Sequence, residues 1–265
     1  MCNACIPMLN EVQTVDAFAE QMLGMLNQGA LSLMVSIGHR TGLFDAMSEL
    51  SSATVAEISA HAGLEERYVR EWLAAMVSGG VVRFSPDEMS YELPATHAAL
   101  LTRSASPDNV AVYAQYISML GQVEDSIVDC FRNGGGVGYE HFPRFHEVMA
   151  EDSGQTVLAA LESHILPLVG HLVPRLERGI RVLDVGCGKG ALLLWLAQRY
   201  PNSHFVGYDL SEEALEQARE SAEAAGIVNI TFEVRDLTDF AAQAEADAFD
   251  WVTAFDAIHD QAAPQ

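Results

Sequence analysis

Positive charge is scarce in this chain. Its 265 residues hold 14 Lys and Arg against 37 Asp and Glu, a formal net charge of −23. Such a field repels polyphosphates, and the few basic residues are scattered along the sequence, so neither nucleic acid nor an anionic membrane is expected as a partner. Cysteine is sparse as well. Cys2 and Cys5 have CxxC spacing, but Cys130 and Cys187 lie far off and no second pair completes a zinc site; no metal is expected. Long apolar runs are missing. The 18 uncharged residues between Glu20 and His39 are interrupted by Gln21, Asn27, Gln28, Ser32 and Ser36, which reads as helices buried in protein rather than a membrane span. No basic start precedes an apolar stretch, as a secretory signal would require, and no repeat or low-complexity tract stands out. A reduced, cytoplasmic, soluble protein is the expectation.

What is present divides into three regions. Residues 1–103 are expected to be helix-rich. Val15, Phe18, Met22, Met25 and Leu26 keep helical spacing, and a second apolar helix is expected through Leu33, Val35 and Ile37. Thr54 and Glu57 form a capping box that opens a short helix stopping near Gly63. The next helix, from about Glu65 to Ser78, places Tyr68, Trp72, Leu73 and Met76 on one face. Residues 81–84 and 91–93 then flank a polar turn, so a hairpin follows. Helix, turn, helix, hairpin is the layout of a winged helix. Residues 104–179 read as a helical linker and lid region, broken by the glycine run 134–138, which is either a hinge or a plain loop. The aromatic and histidine-rich stretch from Tyr139 to His146 is either core, the more frequent outcome, or a substrate contact.

From residue 180 the pattern changes. Short apolar runs (181–185, 204–208, 230–234, 251–254) alternate with helical stretches (191–199, 212–225, 237–244), which implies βαβ units and a parallel sheet. The first of these strands ends in Asp184-Val-Gly-Cys-Gly-Lys-Gly190. Gly186, Gly188 and Gly190 sit where strand turns into helix and let a ligand approach the main chain. The second strand ends in Asp209, placed to accept hydrogen bonds from ribose hydroxyls, and the third leads to Asp236. All three lie at the carboxyl ends of strands, where open α/β sheets bind ligands. The glycines alone also satisfy a loose dinucleotide pattern. Charge discriminates: Asp184 would repel a pyrophosphate but attract a sulfonium or an ammonium, a preference of roughly 4 kcal/mol at about 4 Å and an effective dielectric near 20.

On Asp184-Val-Gly-Cys-Gly-Lys-Gly190, Asp209 and Asp236-Leu237, taken together and in this order, the chain resembles the class I S-adenosylmethionine (SAM)-dependent methyltransferases. The resemblance implies a Rossmann-like α/β sheet behind the winged helix. It makes Gly186, Gly188 and Gly190 the lining of the methionine end of SAM, Asp209 the holder of the ribose, Asp236 the partner of the adenine amine, and Leu210 a wall against the adenine ring. Cys187, Leu237 and Phe255 complete the cofactor surface.

The fourth strand runs into Phe255-Asp-Ala-Ile-His-Asp260, and His259 has the intrinsic pKa of a general base for a hydroxyl. With a winged-helix front and a helical middle, this resembles the small-molecule O-methyltransferases, whose front domain serves dimerisation. The resemblance makes His259 the catalytic base, a small molecule the methyl acceptor and a homodimer the expected assembly. Gln261-Ala-Ala-Pro departs from that family's usual continuation, so a histidine that merely supports the turn is the other reading. The family's sheet has seven strands and only four are placed here in residues 180–265, so a chain truncated at its carboxyl end is expected. Two other function classes fit the sequence less well. One is a winged-helix transcriptional regulator with a ligand-sensing domain, opposed by the net charge and by Glu65, Glu66 and Glu71 beside Arg67 and Arg70. The other is a nicotinamide-dependent oxidoreductase, opposed by Asp184.

Overall fold

A computed structural model describes residues 14–237, 244 and 246–258. The chain divides into two compact units. The first includes residues 14–98 and 113–118; the second includes 99–112 and the chain from 119 onward.

The first unit is a winged helix. Helix α1 (Val15–Arg40) starts at Thr14, whose hydroxyl accepts the Ala17 N–H. It continues unbroken where two helices are expected from the sequence, because no glycine or proline within it supplies a break strong enough to end it. Its apolar residues also depart from expectation: within the chain they are not buried. Phe18 is 52% exposed, Leu26 66%, and Val15, Met25, Leu33 and Ile37 are exposed with them. Only the last turns reach the core.

Helices α2 (Leu43–Ser48), α3 (Val55–Ala62) and α4 (Glu66–Ser78) follow. The Thr54–Glu57 capping box is formed in both directions, and α3 stops at Gly63. The core is built on Trp72. Its indole N–H donates to the Met34 carbonyl at 2.8 Å, and its ring meets Phe44 edge-on at 5.3 Å, an arrangement that adds about 1 kcal/mol to the area buried. Gly38 permits this approach, since a Cβ there would lie 2.5 Å from the indole. On α4 the buried face is Val69, Trp72, Leu73 and Met76; Tyr68, expected on it, is 73% exposed. Positions 69, 72, 73 and 76 keep a tighter helical stripe than one starting at 68. Strands β1 (Arg83–Ser85) and β2 (Ser90–Glu92) form the antiparallel wing, and Ala53 adds a bridge to Tyr91.

Helix α5 (Ala95–Leu101) leaves the wing, and α6 (Ala114–Gly121) and α7 (Glu124–Asn133) follow, α7 ending at Gly134. Helix α8 (Phe145–Ser153) runs through two π-helical stretches, Gly154–Leu158 and Leu161–Ile165, into the short α9 (Leu166–Leu168), and α10 (Val173–Arg178) precedes the sheet.

The sheet of the second unit has four parallel strands in the order β5-β4-β3-β6. They are β3 (Arg181–Val185), β4 (His204–Asp209), β5 (Ile230–Val234) and β6 (Trp251–Thr253), joined by α11 (Ala191–Arg199) and α12 (Glu212–Ala224). Central strands buried on both faces need continuous apolar runs, which β3 and β4 supply. Leu192, Leu193 and Leu196 of α11 pack with Val182, Phe205, Leu215 and Ala218 in one core, joined by Leu161, Leu166 and Leu176 from the preceding helices. Ser211 caps α12 by accepting the Ala214 N–H. Most of the helix expected at 237–244 lies outside the described residues.

Candidate functional site at the carboxyl edge of the parallel sheet

The turn between β3 and α11 is held from β4. The N–H groups of Gly186 and Cys187 both donate to the Tyr208 carbonyl, at 2.7 and 3.1 Å. Its three glycines all have φ between +52° and +72°, a region L side chains rarely enter. Their surroundings differ. A Cβ on Gly186 would strike Ala257, and one on Gly190 would strike the Phe232 ring at 2.6 Å, whereas a Cβ on Gly188 would meet nothing within 4 Å. Gly186 and Gly190 are therefore glycines because protein packs against them. Gly188 presents bare backbone to open space.

Asp209, at the end of β4, joins this turn. Its two carboxylate oxygens accept the Gly188 N–H at 2.8 Å and the Ser211 N–H at 2.8 Å. Each oxygen keeps a further lone pair for a ligand hydroxyl. Leu210 beside it is half exposed, and Leu237 packs with Val185 and Phe249 around Leu183, Val206 and Tyr208. Asp236 is exposed just past β5. Phe255 packs on the core of the second unit just past β6.

Asp184 lies deeper. It is 4% exposed, and Thr253 Oγ1 on β6 donates to its Oδ1 at 2.7 Å. The two residues are paired in register across β3 and β6. Burial pushes the Asp184 carboxyl from 3.8 up to about 7, a rise that the Thr253 hydrogen bond moderates and the negative charge of Asp209 reinforces. Near neutral pH this carboxyl is poised between its two states, and a cation brought beside it would draw it to the charged one. Burial holds the Cys187 thiol far above its ordinary range, so it is a packing group and not a nucleophile.

Of the residues expected from sequence, the structure brings Gly186, Cys187, Gly188, Gly190, Asp184 and Asp209 together around one turn, and places Leu210, Asp236, Leu237 and Phe255 at the same carboxyl edge of the sheet. His259 lies outside the described residues. Two contributors were not anticipated. Thr253 was hidden in an apolar run, although a lone hydroxyl opposite the acid of a neighbouring strand is a readable sign. Gly207 has no room for a side chain: a Cβ there would sit 2.6 Å from Cys187 Sγ and 2.7 Å from Phe232. Among the described residues no three His, Cys, Asp or Glu cluster so as to hold a metal ion, and no helix is long and apolar enough to cross a membrane.

Known proteins share both halves of this architecture. Residues 29–103 match the family model of the Rv2258c-like winged HTH domain, and residues 176–265 match that of a methyltransferase domain. An indolepyruvate C-methyltransferase of Streptomyces griseus is 38% identical over 88 residues, covering 33% of this chain and 25% of that protein. The solved structure of the mitomycin 7-O-methyltransferase MmcR aligns with a TM-score of 0.60 at 17% identity, over 93% of this chain and 73% of that one. That of PigF with SAH aligns at 0.59 and 19% identity, over 94% and 73%. The chain spans between 18% and 31% of the length of the curated relatives it matches. It joins a winged helix-turn-helix domain to a methyltransferase domain, in the fold of the SAM-dependent methyltransferases.

Proposed function

We propose that the chain binds SAM at the carboxyl edge of its parallel sheet and transfers the methyl group to the oxygen of a small molecule. The observation that carries this reading is the pairing of Asp209 with the backbone of Gly188. A glycine whose missing side chain leaves open space stands next to a carboxylate with lone pairs to spare, a cradle for a ribose bearing two hydroxyls. Asp184 fits the same ligand. A buried carboxyl poised near neutrality favours a positively charged neighbour and disfavours a pyrophosphate, which also weighs against a nicotinamide cofactor.

SAM, when bound, supplies a methyl group on a positively charged sulfur, ready for in-line displacement. The chain's task is then positioning. Asp209 would hold the ribose, Asp236 would meet the adenine amine, Leu210 would pack on the ring with Leu237 and Phe255 completing the surface, and the Gly186–Gly190 turn would line the amino-acid end. His259 takes the proton from the acceptor hydroxyl. Oxygen as the acceptor atom is supported by the fold shared with a 7-O-methyltransferase, while the C-methyltransferase relative marks the alternative.

Calorimetric titration with S-adenosylhomocysteine tests the central claim. The wild-type chain should bind in the micromolar range, and Asp209→Asn should weaken binding at least tenfold without changing the circular dichroism spectrum. A folded wild-type sample that takes up none would sink the proposal.

The exposed apolar face of α1, with Phe18, Met22, Met25 and Leu26 on one stripe, supports a homodimer formed through this helix. Sedimentation equilibrium should give a dimer that Leu26→Glu dissociates. The winged helix-turn-helix match raises the regulator as a second reading. It is disfavoured by α4, whose exposed positions carry Glu66 and Glu71 along with Arg67 and Arg70, Arg70 being already paired with Glu66. We hold the protein to be cytoplasmic, in keeping with its free thiols at Cys130 and Cys187.

A further inference from the structure

Arg181 and His204 open β3 and β4, and Asp250 stands just before β6, so all three lie at the amino edge of the parallel sheet, opposite the glycine turn. There the surface folds into a concavity of about 370 Å³, lined by Arg178, Gly179, Arg181, Asn202, His204 and Asp250. Hydrogen bonds fix its frame. Asn202 Nδ2 donates to the Glu177 carbonyl at 2.8 Å. Ser203 Oγ donates to the Leu176 carbonyl at 2.7 Å and accepts the Ile180 N–H at 3.0 Å. Gly179 permits the close approach: its φ is +111°, and a Cβ there would lie 2.7 Å from the Asn202 carbonyl oxygen. The turn from α10 into β3 is thus clamped to the turn that enters β4, which holds Arg178 and Arg181 on a preorganised backbone.

The charge of this lining runs against that of the chain. Arginines elsewhere stand beside carboxylates, as Arg70, Arg144 and Arg219 do. Arg178 and Arg181 have none within 4.0 Å among the described residues, although Asp and Glu outnumber Lys and Arg by 37 to 14. The Arg181 guanidinium rests on the Phe249 ring, 5.0 Å from its centroid, a contact that leaves its charge uncancelled. The carboxylate of the lining is already engaged through both oxygens: Arg175 pairs with Asp250 Oδ1, and the Arg181 N–H donates to Oδ2 at 3.0 Å. A surplus of positive charge therefore faces the concavity, at the end of the sheet away from Asp184, Asp209 and Asp236. The field of distant carboxylates is screened over about 8 Å at physiological ionic strength, so the two guanidiniums set the local sign.

We propose that this concavity is an anion-binding site and that its ligand carries a phosphate group. A guanidinium presents a planar fork of N–H donors that fits two oxygens of one anion. A lone carboxylate has two oxygens and one charge, and a single fork satisfies it. A phosphate has a third oxygen and nearly a second charge, which the other arginine and the remaining N–H of the Asn202 amide can meet. A cation finds no carboxylate oxygen that is not already in use, and an extended polyanion would run beyond the rim into the field of an acidic chain. A compact phosphate is what remains. The site shares no residue with the glycine turn and stands whether or not the carboxyl edge takes SAM.

The probes are inorganic phosphate and glycerol 3-phosphate, each titrated calorimetrically into the full chain at matched ionic strength. At least one should bind with a dissociation constant below about 1 mM. Arg178→Gln and Arg181→Gln should each weaken that binding by roughly tenfold. Arg67→Gln, which removes the same charge from the first unit, should leave it within about twofold. All three side chains are exposed, so the circular dichroism spectra should not change. Tighter binding of the ester assigns the site to a phosphorylated small molecule, and tighter binding of the free ion assigns it to phosphate itself; either supports the proposal. Absence of binding by both probes up to about 10 mM overturns it. So does equal weakening by Arg67→Gln, which would mean a diffuse charge effect, or acetate binding as tightly as phosphate, which would mean that a single charge suffices.

Discussion

Replacing Asp184 with Asn isolates the cost of a buried acid. In the folded chain this carboxyl titrates at about 7, against an ordinary 3.8, chiefly because burial disfavours its charged form. A shift of about three units at about 1.36 kcal/mol each amounts to about 4 kcal/mol. The direction follows from proton linkage. Between pH 4 and 7 the folded chain holds a proton that the unfolded chain has released, so stability falls as pH rises through this window and levels off above it. Asparagine keeps an oxygen to accept from Thr253 and carries no charge at any pH. Urea denaturation of both proteins from pH 4 to 8 should therefore show little difference at pH 4. By pH 8 Asp184→Asn should be the more stable by about 2–4 kcal/mol. The comparison cancels the background repulsion of a chain bearing −23, which both proteins share to within one charge. S-adenosylhomocysteine should reverse the ranking. Its ammonium stabilises the charged carboxyl, so wild-type affinity should rise with pH toward 7, and the variant should bind more weakly with no such slope. A stability difference that is flat from pH 4 to 8, or a variant less stable at pH 8, would refute the reasoning.

The glycines of the turn should separate into two kinds. Gly190→Ala adds strain at φ +70° and a clash with Phe232, and should cost roughly 2–4 kcal/mol of stability by denaturant melts. Gly188→Ala meets only open space and should cost about 1 kcal/mol, yet abolish cofactor binding by calorimetry. Thr253→Val removes the hydroxyl that Asp184 Oδ1 accepts. It should destabilise the chain by about 1–3 kcal/mol at pH 8 and by less at pH 5, where the carboxyl is protonated; an equal loss at both would show that packing alone matters.

The parallel sheet was legible because its strands are short apolar runs at regular intervals and its acids fall at their ends. Asp209 and the glycines follow from that alternation, since they stand where a strand gives way to the next turn; Asp184, one residue short of the end of β3, could be placed on the strand but its burial could not. The winged helix was legible from the Thr54–Glu57 capping box and the polar turn before Tyr91. What escaped depended on partners far away in sequence. Trp72 could be placed in a core, but not its bond to the Met34 carbonyl. Tyr68 keeps the spacing of that core and still faces outward, because spacing alone does not separate a stripe starting at 68 from the buried one at 69, 72, 73 and 76. The apolar stripe of α1 has the spacing of a buried face, yet periodicity reports that a face is apolar and not what covers it. Thr253 was missed for the same reason: its meaning comes from β6 lying beside β3 and not from its own neighbours.

The way the glycine turn is braced bears on the order in which the chain assembles. Its nearest tie, from Gly188 to Asp209, spans 21 residues, but Asp184 is completed by Thr253 across 69 residues. Ala257 closes against Gly186 from further along still. Contacts of such separation carry the largest loop-closure cost and form late. On that count the strand and turn that bear the recognisable glycines should close as a βαβ unit before residues 251–258 dock against them. If the site binds ligand as proposed, its uptake during refolding should report the later step rather than the first.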